Sequence, residues 1–372
     1  MGGYQPKGGV PVARRQHLVF AQNRRPHRIR RFFIRLFLAL LIVLLIAATA
    51  SFIVSHRVRT ETLRVTVADL PDDLNGFTIL HLSDLHGGRL GRGQSSVGNA
   101  LGKETCSCVV FTGDMLGPDG DTGALLELLA LDVPALAPDV PKLYLPGDED
   151  PPYLDATVHG SASALADWAE ALRERGVTIL DRPVLFTRGR NGGSRLWIVP
   201  ENVLTLGLDS YAREWTDRMA AMQSSGSLPE SVRVAAYHIE RAEAIRQSVA
   251  DMRENDILVV VSHRPVTEEY ARYLNSASSR GDVFVLRRAA LVLSGHLCGG
   301  QWRLPGLGPV YVPDYGWFPG TEGISGMGWI GGVPQYISPG LGASRTAYPV
   351  LPVRVFNPPT ATRLVLTNRL SR

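Results

Sequence analysis

The first 60 residues contain no Asp and no Glu, although 11 Lys or Arg lie among them. The formal net charge of +4 therefore belongs to that segment. Of the 39 basic residues, 28 remain beyond Thr60 against 35 acidic ones, a net of −7. A pI of about 9.0 is thus no argument for nucleic acid, and none is expected as a partner. Cysteine is scarce as well, with three in 372 residues. Three leave one unpaired in any bridging scheme, and an i,i+2 bridge between Cys106 and Cys108 would be strained. Those two read as reduced residues flanking a strand, although a bridge from Cys298 to one of them remains an alternative. A Gly-rich phosphate loop and a Ser/His/Asp set are also missing, which sets aside the chemistries they carry. No internal repeat is visible, which excludes a solenoid.

What the chain does have first is an apolar run. From Leu36 to Val54 stretch 19 residues without a charge, about the length that spans a bilayer core. Nine basic residues precede the run, and only Arg57 and Arg59 follow closely. The positive-inside bias then keeps the N-terminus cytoplasmic and places the remainder outside, as a single-pass cell-membrane protein. Two other readings stay open. Ala48-Thr49-Ala50 resembles a cleavage site, and Arg30-Arg31-Phe32-Phe33-Ile34-Arg35 resembles a twin-arginine export signal. The run exceeds a typical signal core, which favours an uncleaved signal anchor. The expected organisation is a basic cytoplasmic tail over residues 1–31, the anchor or signal over 32–55, and a folded domain over 60–372.

The densest chemistry lies at residues 81–88, HLSDLHGG. Residues 77–82 are apolar enough for a buried strand, and Asp84 and His86 follow at its C-terminal mouth. Hard oxygen and borderline nitrogen two residues apart suit a divalent transition metal. Later apolar runs end the same way. Residues 108–112 lead to Asp114, 142–145 to Asp148, 256–262 to His263, and 289–294 to His296 and Cys298. Core packing does not require an ionisable residue at each strand mouth. Amphipathic helical patterns separate the strands, for instance over 164–175 and 232–254, so the fold class is α/β or α+β in layers. Residues 180–188 and 195–199 read as a β pair. Residues 219–229 read as a mobile loop.

With these motifs in place (DLH at 84–86, GD at 113–114, GDED at 147–150, SH at 262–263 and GHLCGGQ at 295–301) the chain resembles the calcineurin-like metallophosphoesterases, in their membrane-anchored or exported bacterial branch. The likeness extends over roughly residues 61–367. It implies a two-sheet β-sandwich flanked by helices, here preceded by one transmembrane helix, with two divalent ions (Zn, Mn or Fe) at the strand ends. By the same resemblance Asp84, His86 and Cys298 hold the first metal, Asp114 bridges, and Asp148, His263 and His296 hold the second. The implied activity is hydrolysis of a phosphodiester, phosphomonoester or pyrophosphate by a bridging hydroxide. Because the domain would be tethered, the expected substrate is a phosphorylated small molecule or a lipid-linked phosphate of the cell envelope.

The chain departs from the family pattern inside the site. The third motif is usually Gly-Asn-His-Asp or Gly-Asn-His-Glu, and here it reads Gly147-Asp148-Glu149-Asp150; Cys298 replaces a second His in the last motif. Asp148 still offers an oxygen, and a Cys298 thiolate shifts preference toward zinc or iron. Glu149 takes the place of a catalytic His, and it serves as an acid only if burial raises its pKa. The alternative function is therefore a catalytically impaired protein that binds a phosphorylated ligand or a protein partner. His81 reads as a core histidine or as one that supports the ligands from behind, and His159 and His238 as surface residues. The aromatic stretch from Trp302 to Phe318 reads as β-meander packing or as a rim that grips substrate or membrane.

Overall fold

In the computed structural model the described residues are 1–3, 8–9, 26–157, 163–189, 193–226, 229–277 and 284–368. Two compact units are distinguished, Met1–Thr49 and Ala50–Arg372. Helix α1 (Pro26–His56) runs through the boundary. Its stretch Arg28–His56 is long and apolar enough to cross a membrane, and side chains such as Phe37, Val43 and Leu44 stand exposed on it. Most of the basic tail lies outside the described residues.

The second unit is a mixed α/β fold. Its first strands are β1 (Arg59–Thr66), β2 (Thr78–Leu82), β3 (Cys108–Phe111), β4 (Lys142–Tyr144), β5 (Val177–Ile179), β6 (Val184–Arg188) and β7 (Ser194–Pro200). There follow β8 (Ile257–Val261), β9 (Ala289–Ser294), β10 (Trp302–Leu304), β11 (Gly308–Val312), β12 (Gly316–Trp317), β13 (Gly326–Ile330), β14 (Val333–Ile337) and β15 (Thr360–Thr367). Two sheets of six strands run in the orders β1-β15-β2-β3-β4-β5 and β13-β14-β9-β8-β7-β6, and β10-β11-β12 form a small third sheet.

Within the first sheet β2, β3, β4 and β5 are mutually parallel. Within the second, β7, β8, β9 and β14 are parallel. Parallel pairing puts the C-terminal mouths of β2, β3 and β4 on one edge, and those of β8 and β9 likewise, which is where α/β sheets collect their chemistry. The central strands β2, β3, β4 and β8 are short and fully buried, as both-face burial demands, whereas the edge strand β1 (RTETLRVT) is mostly exposed.

One apolar cluster draws on both large sheets, with Ile79, Val110 and Leu364 from the first and Ile198, Val259 and Leu293 from the second. The opposite face of the first sheet packs with α2 (Ser95–Leu101), α3 (Gly123–Leu129) and α4 (Asp167–Arg173) through Val97, Leu125 and Leu172. The opposite face of the second shares a cluster with Ile245, Ala271 and Leu274. Each fully buried side chain of this kind contributes about 1.5–3 kcal/mol, so these three clusters hold the strand mouths in register.

Three readings from the sequence change here. The loop expected over 219–229 is largely helix, because α5 (Leu208–Ser224) continues through Met219–Ser224 and α6 (Pro229–Asp251) begins at its far end. Ala, Met and Gln are good helix formers, and Gly226, at φ 67°, ends the run; residues 227–228 lie outside the described set. His238 is not a surface residue. It is half-buried between α5 and α6, with Nδ1 2.6 Å from the Tyr211 hydroxyl and its ring stacked 3.7 Å from that of Trp215. Burial drops its pKa to about 4. The thiols of Cys106, Cys108 and Cys298 are all free, so the bridging alternative is not formed. His159 lies outside the described residues.

His81 is fully buried in β2, with Nε2 2.8 Å from the Thr112 hydroxyl, and desolvation lowers its pKa from 6.5 to about 3. Above pH 6.5 the ring is neutral folded and unfolded, and it contributes nothing to pH dependence. Between 6.5 and about 3 only the unfolded chain takes up the proton, so stability falls as pH falls, by about 1.4 kcal/mol per unit. Thermal melts at pH 6.5 and 5 are expected to show this loss in the wild type and a loss smaller by about 2 kcal/mol in His81→Asn. Equal acid sensitivity of the two proteins would contradict a neutral buried ring.

Candidate metal centre

The loops that leave β2, β3, β4, β8 and β9 carry the seven candidate ligands, and their backbone is unusual. Asp84, His86, Asp114, His296 and Cys298 all have left-handed φ, between 47° and 73°. Such conformations are costly for residues other than glycine and persist where the surroundings enforce them. Gly113 (φ 89°) shows the crowding: a Cβ there would sit 2.5 Å from the Gly147 backbone and 2.8 Å from His263 Nδ1. The β3 and β4 loops therefore touch through glycine.

Among the described residues, three groups have donor atoms that lie within 4.8 Å of one another and could hold a metal ion: Asp84, His86 and Cys298; Asp114, His263 and His296; and His86, Asp114 and Glu149. The first two each join residues of both sheets. Asp84 Oδ1 accepts the His296 N–H at 2.9 Å, while Asp84 Oδ2 is buried with no hydrogen-bond partner. An orphaned carboxylate oxygen in a dry site is costly unless a cation meets it. His86 Nε2 is 3.5 Å from Cys298 Sγ, and its Nδ1 is 3.2 Å from Glu149 Oε2.

On the other side, His263 Nδ1 donates to the Thr112 carbonyl at 2.7 Å. That bond leaves Nε2 free to face Asp114 Oδ2 at 3.2 Å and His296 Nδ1 at 3.1 Å. Orienting a ring through its far nitrogen is how proteins prepare a histidine ligand. Asp148 stands at the rim, with Oδ2 3.5 Å from His296 Nδ1 and 3.7 Å from His263 Nε2, and it pairs with Arg264 Nε at 2.5 Å. Its carboxylate is 44% exposed, so it is near the second group without completing it. Carboxylate, imidazole and thiol donors in two clusters fit borderline divalent ions such as zinc or iron.

Electrostatics follow from burial and pairing. Burial raises the Asp84 carboxyl, against the pull of the His263 and His86 rings. Burial pushes Asp114 the same way, but the His263 hydrogen bond and charge hold it below the usual range. Burial opposes protonation of His263, yet Asp114 lifts it to about 9. Burial also raises the Cys298 thiol. For Glu149 burial is outweighed by the His86 ring and the Ser344 hydroxyl, so its pKa is lowered. The raised pKa that an acid at this position needs is therefore absent.

Several contributors were not singled out from the sequence. Asp150, in the same motif, is partly buried and accepts from the N–H groups of Asp114 and Gly147 and from the Tyr144 hydroxyl. It braces the β3 and β4 loops against each other. Its place in the motif was the available signal. Arg264 follows His263 directly, which was a weaker hint. Ser344, 195 positions from Glu149, carried none.

No family model matches the chain, and no curated protein matches it. Among solved structures, the crystal structure of a phosphopantetheinyl hydrolase from Mycobacterium tuberculosis matches with a TM-score of 0.32 and 16% identity, over 71% of this chain and 89% of that one. At that level the likeness fixes neither the fold nor the activity of this protein.

Proposed function

We propose that this protein is a metal-dependent phosphoester hydrolase of the cell envelope, built on the two-sheet sandwich of the calcineurin-like phosphoesterases. Asp84, His86 and Cys298 would hold one ion, His263, His296 and Asp148 the other, with Asp114 between them. The observation that carries the reading is the double membership of Asp114. Its carboxylate lies within 4.8 Å of donors from His263 and His296, and also of donors from His86 and Glu149. Divalent ions at such a site supply Lewis acidity, an activated water and charge neutralisation for phosphoryl oxygens.

The chain's own residues prepare that chemistry. The Thr112 carbonyl turns His263, and the Glu149 carboxylate turns His86, so that each ring presents its other nitrogen inward. Glu149 is then a positioning residue for His86. Arg264, 60% exposed beside Asp148, offers a guanidinium at the mouth for a phosphate oxygen. The carboxylates of Asp148, Glu149 and Asp314 line the same cavity. That negative lining disfavours a dianionic monoester and favours a monoanionic phosphodiester.

The test is elemental analysis of the purified chain together with turnover of an aryl phosphodiester. Close to two ions per chain with turnover supports the proposal, and a metal-free chain that zinc, manganese and iron fail to stabilise ends it. The binding-protein alternative has one observation in its favour, the pairing of the Glu149 carboxylate with His86 at 3.2 Å where a proton donor would be needed, and predicts bound metal without turnover. For Glu149→Gln the expected result is a 10–100-fold loss of affinity at the His86 side, the usual cost of losing a carboxylate that orients a ligand. Competition with a chromophoric zinc chelator measures it, and unchanged affinity would remove the positioning role.

The membrane reading belongs to the same proposal. The apolar stretch Arg28–His56 would act as an uncleaved anchor, with its basic flank in the cytoplasm and the metal centre outside. Protease that cuts the domain only from the cytoplasmic face would overturn that orientation.

A further inference from the structure

We propose that the aromatic surface formed by β10–β12 and residues 348–353 docks on a phospholipid bilayer and seats the mouth of the metal cleft at the headgroup layer. This rests on reading α1 as a membrane anchor. Leu307 and Trp317 are each 68% exposed, Phe318 61% and Val350 90%. Single exposed apolar residues are ordinary, whereas a joined set marks an interaction surface. This set is joined. The Trp302 and Tyr348 rings lie 5.0 Å apart, Tyr348 and Tyr311 6.2 Å, and Tyr311 and Trp317 5.1 Å. The Trp302 indole N–H also donates to the Leu351 carbonyl at 3.0 Å, which ties the 350–353 segment to the sheet.

Two observations favour lipid as the occupant. Trp and Tyr settle at membrane interfaces because an apolar ring carries a polar edge. The start of the folded unit also lies beside this segment: Ser51, one residue into the unit that begins at Ala50, accepts the Phe356 N–H at 3.1 Å, three residues beyond Val353. The cleft shares the same segments. Asp314, in the turn between β11 and β12, and Tyr348 line a cavity of about 270 Å³ with Glu149, His296 and Cys298. Docking therefore presents the metal residues to phosphate esters at the bilayer surface, where a lipid-linked substrate carries its phosphate.

The experiment uses the full chain reconstituted in phosphatidylcholine–phosphatidylglycerol vesicles, with a fraction of the phosphatidylcholine brominated high on its acyl chains. Tryptophan emission is compared between wild type and Trp317→Phe, a change that keeps the ring and the fold. Expected is quenching of the wild type, most of which disappears in Trp317→Phe. The double change Leu307→Asp with Phe318→Asp should reduce quenching equally while metal content stays the same. Unchanged quenching in both variants, or none in the wild type, would overturn the docking. So would shielding of Trp317 in a stable dimer, which assigns the surface to a second copy. Alkaline carbonate extraction separates the underlying reading: membrane-retained protein without quenching defeats the docking alone, whereas protein released by carbonate defeats the anchor and the docking with it.

Discussion

Replacing Asp114 by Asn is expected to empty both halves of the centre and to lower phosphodiester turnover by about 10³-fold, the equivalent of about 4 kcal/mol of transition-state stabilisation. Asp114 is 2% exposed, and its two oxygens have different duties. Oδ1 accepts the Glu149 N–H at 2.8 Å, and Oδ2 faces His263 at 3.2 Å. Asn keeps the size and one acceptor but loses the charge that draws cations to both neighbouring donor groups. Metal content should fall from near two ions to well below one, while melts in chelator stay close to wild type because little is removed from the packing. Loss of a single ion with the other fully retained would show that Asp114 serves one side only, and the bridging assignment would have to be dropped.

The second large effect concerns metal choice at Cys298. The residue is buried, its sulfur lies 3.5 Å from His86 Nε2, and its carbonyl is anchored by the Asn357 amide at 2.8 Å. Cys298→Ser swaps a soft donor for a hard, neutral one of nearly the same size. Structural zinc sites are worth roughly 10–16 kcal/mol from about four ligands, so losing the thiolate is expected to cost about 3 kcal/mol, or about 100-fold in zinc affinity. Manganese prefers oxygen and should lose much less. Cys298→His should restore zinc binding. Competition titrations with both metals decide the matter, and equal losses for zinc and manganese would mean that the sulfur is not a ligand.

Much of the site was legible in the chain because it depends on local order. Asp84, His86, Asp114, His263 and His296 each follow a strand's last residue by two to four positions, and a strand delivers whatever follows it to one edge of its sheet. The functions of Asp148 and Glu149 were not legible, since their partners lie far along the chain. Arg264, 116 positions away, draws Asp148 to the rim, and Ser344 together with His86 keeps Glu149 ionised. Composition misled in two places. The run ending in Ser-Ser-Gly-Ser suggested a loop where α5 continues, and His238 of α6 looked exposed until Tyr211 and Trp215 of α5 packed against it.

By itself the sequence determined the strand mouths, the apolar helix and the placement of ionisable residues, all consequences of alternating hydrophobicity that neighbouring residues settle between them. Only the tertiary structure decided that the mouths of two separate sheets meet, because that depends on the apolar cluster shared by Ile79, Val110, Val259 and Leu293. Once those faces pack, Asp84 lies against the His296 backbone and Asp114 against His263. Donors more than 100 residues apart then share one desolvated volume, where a carboxylate oxygen without a partner calls for a cation.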